Sequence, residues 1–266
     1  MSFGNPVPQR DLDIRAALGK GAAVLFGDIR LFVIIAAVIY SPLFGWTVLT
    51  EPTALETEED WDDLLGVAIS ALLLQLLVAG AVAHATALLL LGRTANVLAC
   101  LTTALERFFT VLGITLFQLV LIGVPMLVGL TLVSTGAAIG AVVVFAAVIG
   151  GLFILAVWWV AIPACVIEGH SVRHSLERSA ELTGGYRWKV LGLVLSIGLI
   201  SISIQMLLAA LTMPGEASLG FVKTMNLISA GVTALIATFA YIVAAVTFHE
   251  LRTNKQGGTT PGQAVV

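Results

Sequence analysis

Long uncharged apolar runs alternate along the chain with short polar segments that hold every charged side chain. Six runs stand out, at about 31–49, 64–91, 108–133, 137–162, 190–211 and 225–248. A bilayer core of about 30 Å is crossed by roughly 20 apolar helical residues, so each run predicts a transmembrane helix. Leu, Ala and Val dominate with no period of two, which points to helices and not to a barrel. The runs 64–91 and 137–162 exceed the minimum, and those helices are expected to tilt or to extend past the lipid.

Composition agrees. Of 266 residues 59% are hydrophobic and 11% charged, with a mean hydropathy of +1.04, whereas ordinary soluble domains carry about 25% charged residues. This excludes a soluble globular protein, and the aperiodic Gly and the two Cys exclude collagen-like and disulfide-built chains. None of the 29 Asp, Glu, Lys and Arg residues falls inside the runs. Twelve of the 13 basic residues lie before the first run, between the second and third, between the fourth and fifth, or after the sixth. An even number of spans puts all four segments on one side, the cytoplasm by the positive-inside rule. The opposite loop at 51–63 holds seven acidic residues and no base. The first run begins late, behind Asp11, Asp13 and Asp28, with no small-residue cleavage pattern after it, and is expected to be retained as a span. Expected organisation is therefore a cytoplasmic segment with an amphipathic helix at 1–30, a six-helix membrane domain at 31–248 and a disordered cytoplasmic tail at 249–266. Cys100 and Cys165 lie near the cytoplasmic face, where thiols stay reduced and no disulfide is expected.

Each odd-numbered span follows a short amphipathic stretch, at 11–26, 97–107 and 171–183. Two of them contain Leu-Glu-Arg, at 105–107 and 176–178, followed by Val-Leu-Gly at 111–113 and 190–192. The pattern is that of an interfacial helix plus a hairpin, repeated three times, with chance matching in Leu-rich sequence as the alternative. In 171–183, Ser171 stands where it can cap a helix. Val172, Leu176 and Ala180 share one face, Arg173, Glu177 and Glu181 share another, and Gly184-Gly185 ends it. The following Tyr186-Arg187-Trp188-Lys189 suits a headgroup layer, and Arg173, Arg178, Arg187 and Lys189 would form a surface for lipid headgroups or a partner protein.

The stretch Trp159-Val-Ala-Ile-Pro163-Ala-Cys-Val-Ile-Glu168-Gly169, then Leu176-Glu-Arg178-Ser-Ala-Glu-Leu182-Thr-Gly184-Gly-Tyr-Arg187-Trp188, and the closing His249-Glu250-Leu251-Arg252 resemble a signature of six-span bacterial membrane proteins. These are the YciC-like proteins and the membrane domain found beside some glycerophosphoryl diester phosphodiesterases. The resemblance implies the six-helix architecture and the bacterial cytoplasmic (inner) membrane. It implies no activity, because the hydrolytic domain of those diesterases is a separate soluble barrel with no counterpart in this composition.

Candidate chemistry is sparse. His170, His174 and Glu177 share a helix face, and His249-Glu250 emerges on the same side, but four metal ligands are not fixed by this spacing and no metal or cofactor is expected. Glu168 follows Pro163 at the end of the fourth span, where it can pair with Arg178, Arg187 or Arg252; a structural ion pair outweighs a catalytic carboxylate. His84 lies inside the second span among Ala79, Gly80, Ala83 and Ala87, which predicts a neutral imidazole hydrogen-bonded across a close helix contact as the alternative to a functional intramembrane group. Gln75, Gln118 and Gln205 are expected to bond between helices, Gly136-x-x-x-Gly140 and Gly150-Gly151 to support close packing, and Pro42 and Pro125 to kink helices. There is no phosphate-binding loop, nucleophile elbow or H-E-x-x-H. The net charge of -3 gives no expectation of nucleic acid.

The reading favoured by these residues is a non-enzymatic membrane scaffold or accessory protein that contacts lipids or a membrane protein partner through a basic cytoplasmic rim. A transporter or channel for a neutral or lipid-like substrate is the second reading, weakened by the absence of charge within the spans. An interfacial lipid-headgroup enzyme built on Glu168 and a neighbouring His is the third. Oligomeric state is not legible.

Overall fold

A computed structural model describes residues 12–49, 61–211 and 219–255; for 46–49, 61–64, 211, 219, 222 and 223 it describes the backbone alone. The N-terminal eleven residues, the acid-rich stretch 51–60 and the tail 256–266 lie outside the described residues. The described chain is all helix and loop, with no strand: α1 (Ile14–Gly27), α2 (Ile29–Leu49), α3 (Trp61–Leu90), α4 (Val97–Ser134), α5 (Ala138–Val157), α6 (Ala161–Glu168), α7 (Val172–Thr183), α8 (Arg187–Leu211) and α9 (Leu219–Lys255). Five stretches are long and apolar enough to cross a membrane, at Leu65–Leu90, Val97–Ser134, Ala138–Glu168, Arg187–Ala210 and Thr224–Lys255. A sixth arises if α1 and α2, bent by 80° at Asp28, count as one span. The protein is thus a multi-pass helical membrane protein.

Local chemistry sets the helix ends. Asp13 and Asn96 cap α1 and α4, each side chain accepting the backbone N–H two residues on at 2.9 Å. Gly136, expected to pack between helices, instead has φ +78 and open space around its Cα; it turns the chain between α4 and α5. Its partner Gly140 does pack, with a Cβ there colliding with the backbone of Leu132 and Val133. Gly151 likewise meets Ile122, while Gly150 faces open space.

Several expected boundaries move. The stretch 97–107, read as a separate interfacial helix, is continuous with the span behind it in α4. The fourth span stops at Val157, turns over 158–160 and resumes as α6. Pro163 explains the break: in a continuous helix its ring would press on the carbonyl of Trp159, whereas in the first turn of α6 its missing N–H has no helical acceptor to lose. The sixth run continues as helix to Lys255, so 249–255 are helix and not a disordered tail.

The core lies at the end of the bundle where the basic residues gather. Phe32, Ile35 and Ile39 of α2, Val78 and Val82 of α3, Cys100 and Ala104 of α4 and Ile242 and Val246 of α9 form its centre. Gly80 lets α3 approach α4 until a Cβ there would sit 3.3 Å from the Ala104 Cα. Leu182, Val190, Phe248 and Leu251 extend the core to α7, α8 and α9, and Ala17 seats α1 on Leu193 and Val243. Toward the other end packing thins. Beyond Ile114 only Gly129 is buried on α4, and beyond Ile197 no described residue of α8 is. Lipid tolerates this, because apolar side chains gain little by leaving it for one another.

Candidate functional site at the basic end

The site is built around the last turn of α6. Gly169 follows Glu168 with φ +72, a conformation that favours glycine, and turns the chain toward α7. The helix end carries partial negative charge and Glu168 adds a carboxylate, so cations are drawn to it. Arg178 of α7 donates from Nε to Glu168 Oε2 at 3.1 Å and from Nη2 to Oε1 at 3.5 Å. Arg252 of α9 stands with Nε 3.5 Å from Oε1, and His170 with Nε2 3.0 Å from Oε2. Arg107 of α4 donates to the Gly169 carbonyl at 3.2 Å. Four elements therefore meet at two residues. The Glu168 side chain is 12% exposed and that of Arg178 18%. Burial works against the Arg178 charge, but hydrogen bonds to Glu168 and to Glu181, the latter at 3.0 Å, hold its pKa above the ordinary value.

Further ties surround this hub. Lys20 of α1 meets Glu250 of α9 at 2.5 Å, and Lys255 donates to the Glu181 carbonyl. Arg173 pairs with Glu177 at 2.8 Å on the exposed face of α7. The His170 and His174 rings meet edge to face with centroids 4.4 Å apart. Among the described residues no group of three or more His, Cys, Asp or Glu is placed to hold a metal ion.

The buried face of α7 consists of Ser175, Leu176, Ser179, Leu182 and Thr183, with Val172 and Ala180 at its margins. Two of its hydroxyls, those of Ser179 and Thr183, have a task. The break after Val157 leaves that residue's carbonyl without its helical partner; Ser179 donates to it at 2.8 Å, and the Thr183 hydroxyl, 2.8 Å from the Ser179 carbonyl, stands 3.1 Å from it as a second donor in reach. Ser171 holds the N-cap position with extended backbone but makes no side-chain capping bond. The Val172–Leu176–Ala180 face marked one edge of this surface, but hydroxyl residues in a polar segment read as solvated, so Ser175, Ser179 and Thr183 were not marked as buried. The second Leu-Glu-Arg was a usable signal for Arg107: both tripeptide arginines, Arg107 and Arg178, reach the Glu168–Gly169 turn.

The other expected residues fall elsewhere. Arg187 lies over the Phe153 ring, 5.6 Å from its centroid, and Trp188 is 81% exposed beside it. His249 is half-buried on α9. His84 is half-buried beside the Gly80–Ala104 contact, with no hydrogen-bond partner among the described residues. Gln205 accepts from Ser229 at 3.4 Å and donates to Thr233 at 2.5 Å, joining α8 to α9. Gln75 of α3 is in hydrogen-bonding reach of the Tyr241 hydroxyl on α9. Gln118 has no such partner among the described residues.

Comparison of the chain with protein-family models, curated proteins and solved structures gave no match.

Proposed function

We propose that the protein is a non-enzymatic scaffold or accessory protein of the bacterial cytoplasmic membrane, contacting lipids or a membrane protein partner through its basic rim. The observation that carries this reading is the occupancy of Glu168: its oxygens are engaged by Arg178, Arg252 and His170, which suits a fastener between helices better than a proton-transfer group. In this reading α2 makes the first of six spans behind a cytoplasmic amphipathic α1, both termini are cytoplasmic, and the three hairpins descend from one unit. The motif resemblance to YciC-like proteins supports the same architecture. Exposed Arg187 and Trp188 offer contacts for anionic headgroups. The 3.0 Å contact of His170 with Glu168 is the observation that favours a lipid-headgroup enzyme instead.

The test is native mass spectrometry of the protein released from its own membrane in nanodiscs. Retained anionic phospholipid or a stoichiometric protein partner is expected, with retention reduced by Arg187→Gln and Trp188→Ala. Recovery of the chain with neither would count against an accessory role, and turnover of a phospholipid headgroup that stops in Glu168→Gln would replace it with the enzymatic reading.

A further inference from the structure

The first three turns of α4 carry an apolar stripe that no element among the described residues covers. Leu98 is 69% exposed, Phe109 is 79% exposed, and Leu105 between them is exposed as well. The stripe does not stop where the span was expected to begin at 108. It runs on through Leu116, Val120 and Leu127, all exposed, at steps of seven and four residues. At about 100° per residue those steps keep all six side chains within an arc of roughly 60°. The opposite face packs into the bundle through Cys100, Ala104, Val111 and Ile114, and Arg107 on that side is turned to Gly169. Within the stripe the one polar side chain, Thr102, donates to the Ala99 carbonyl of its own helix at 2.9 Å. Glu106, the nearest exposed charge, lies about 40° beyond the edge of the stripe, four residues on from Thr102.

From Leu98 to Leu127 the stripe is about 44 Å long at 1.5 Å per residue, against about 30 Å for the hydrocarbon core and 40–45 Å for the bilayer with its interfacial layers. We infer that residues 97–108 are no aqueous extension of α4: they seat the Leu98–Leu105–Phe109 face in the interfacial layer of the leaflet at the basic end, with lipid as the occupant. Continuity with the lipid-facing stripe of the same helix, and the lack of any unsatisfied polar group on it, fit acyl chains and the inner headgroup region. The inference needs only that the chain spans a bilayer, so it and the accessory-protein reading can fail separately.

The experiment is spin labelling of Leu98→Cys, Leu105→Cys and Phe109→Cys in a Cys100→Ala, Cys165→Ala background, in phosphatidylethanolamine–phosphatidylglycerol vesicles. Arg93→Cys serves as the aqueous reference. Collision with oxygen relative to a water-soluble nickel chelate is expected to be several-fold higher at 98, 105 and 109 than at 93. A ratio at 98 and 105 equal to that at 93 would put the stripe in water and overturn the inference. Immobile labels shielded from both reagents would overturn it too, by showing a protein partner or a second copy on the face. Because the background removes two buried thiols, Leu98→Trp and Arg93→Trp in the native chain give an independent reading. The fluorescence added by Trp at 98 is expected to be quenched by brominated acyl chains, and equal resistance at both positions would refute the placement.

Discussion

Replacing Glu168 with Gln tests whether the α6 turn fastens the bundle. The substitution keeps size and one acceptor but removes the charge that faces Arg178 at 3.1 Å and Arg252 at 3.5 Å. Breaking a fully buried ion pair costs about 3–5 kcal/mol and an exposed one less than about 1 kcal/mol. With side chains 12%, 18% and 24% exposed, this cluster lies nearer the buried limit. Arg178 keeps Glu181, which reduces the loss. The expected destabilisation is about 2–3 kcal/mol, or roughly 5–10 °C in melting temperature for a chain of this size. Unfolding in mixed micelles by sodium dodecyl sulfate, followed by helical circular dichroism, measures it. Glu168→Gln and Arg178→Met should be non-additive by about 1.5 kcal/mol in a double-mutant cycle. A loss below about 0.5 kcal/mol, with additive single effects, would refute the reasoning and leave Glu168 without a structural role.

Further outcomes follow from the same geometry and the same assay. Ser179→Ala combined with Thr183→Val strips the Val157 carbonyl of its donor and of the second hydroxyl in reach, and should cost about 1–3 kcal/mol, more than either change alone. Gly169→Ala, forced to hold φ +72 with its Cβ 3.0 Å from Arg107 Nη2, should lose about 1–2 kcal/mol. Gly129→Ala places a Cβ 2.9 Å from the Val144 backbone nitrogen and should open the α4–α5 hairpin at a cost of about 2 kcal/mol. Gly150→Ala on the facing helix meets open space and should stay within about 0.5 kcal/mol of the parent; similar values for the two glycines would contradict the packing described. Gln205→Leu should cost no more than about 1 kcal/mol, as interhelical hydrogen bonds in membranes commonly do.

Much of this was legible because lipid enforces simple rules. Apolar runs free of charge become spans, and a carboxylate at the end of a span finds arginines on neighbouring segments; two of the three partners expected for Glu168, Arg178 and Arg252, are in place. Arg187 went to Phe153, because pairing to a ring is set by tertiary placement that no spacing encodes. The break at 158–160 was hidden by its composition: Trp158, Trp159 and Val160 are as apolar as a span, and the cause lies in the geometry of Pro163. The buried hydroxyl face of α7 was hidden for the opposite reason, since Ser179 and Thr183 look solvated until the carbonyl they face is known. Gly136 and Gly140 show the limit of a motif read by spacing, as one closes a turn and the other admits a neighbouring backbone.

The Val157 carbonyl has a consequence for how the chain is made. The donor at 179 and the second hydroxyl in reach at 183 lie 22 and 26 residues downstream and are synthesised later than the helix they complete. Until they emerge and α7 docks, α5 ends in a backbone acceptor that its own helix leaves without a partner. The end of α5 is therefore completed by α7, a helix too short and polar to be a span. Nascent chains arrested before Thr183 should hold that end loosely, and those extended past Gly185 should hold it firmly.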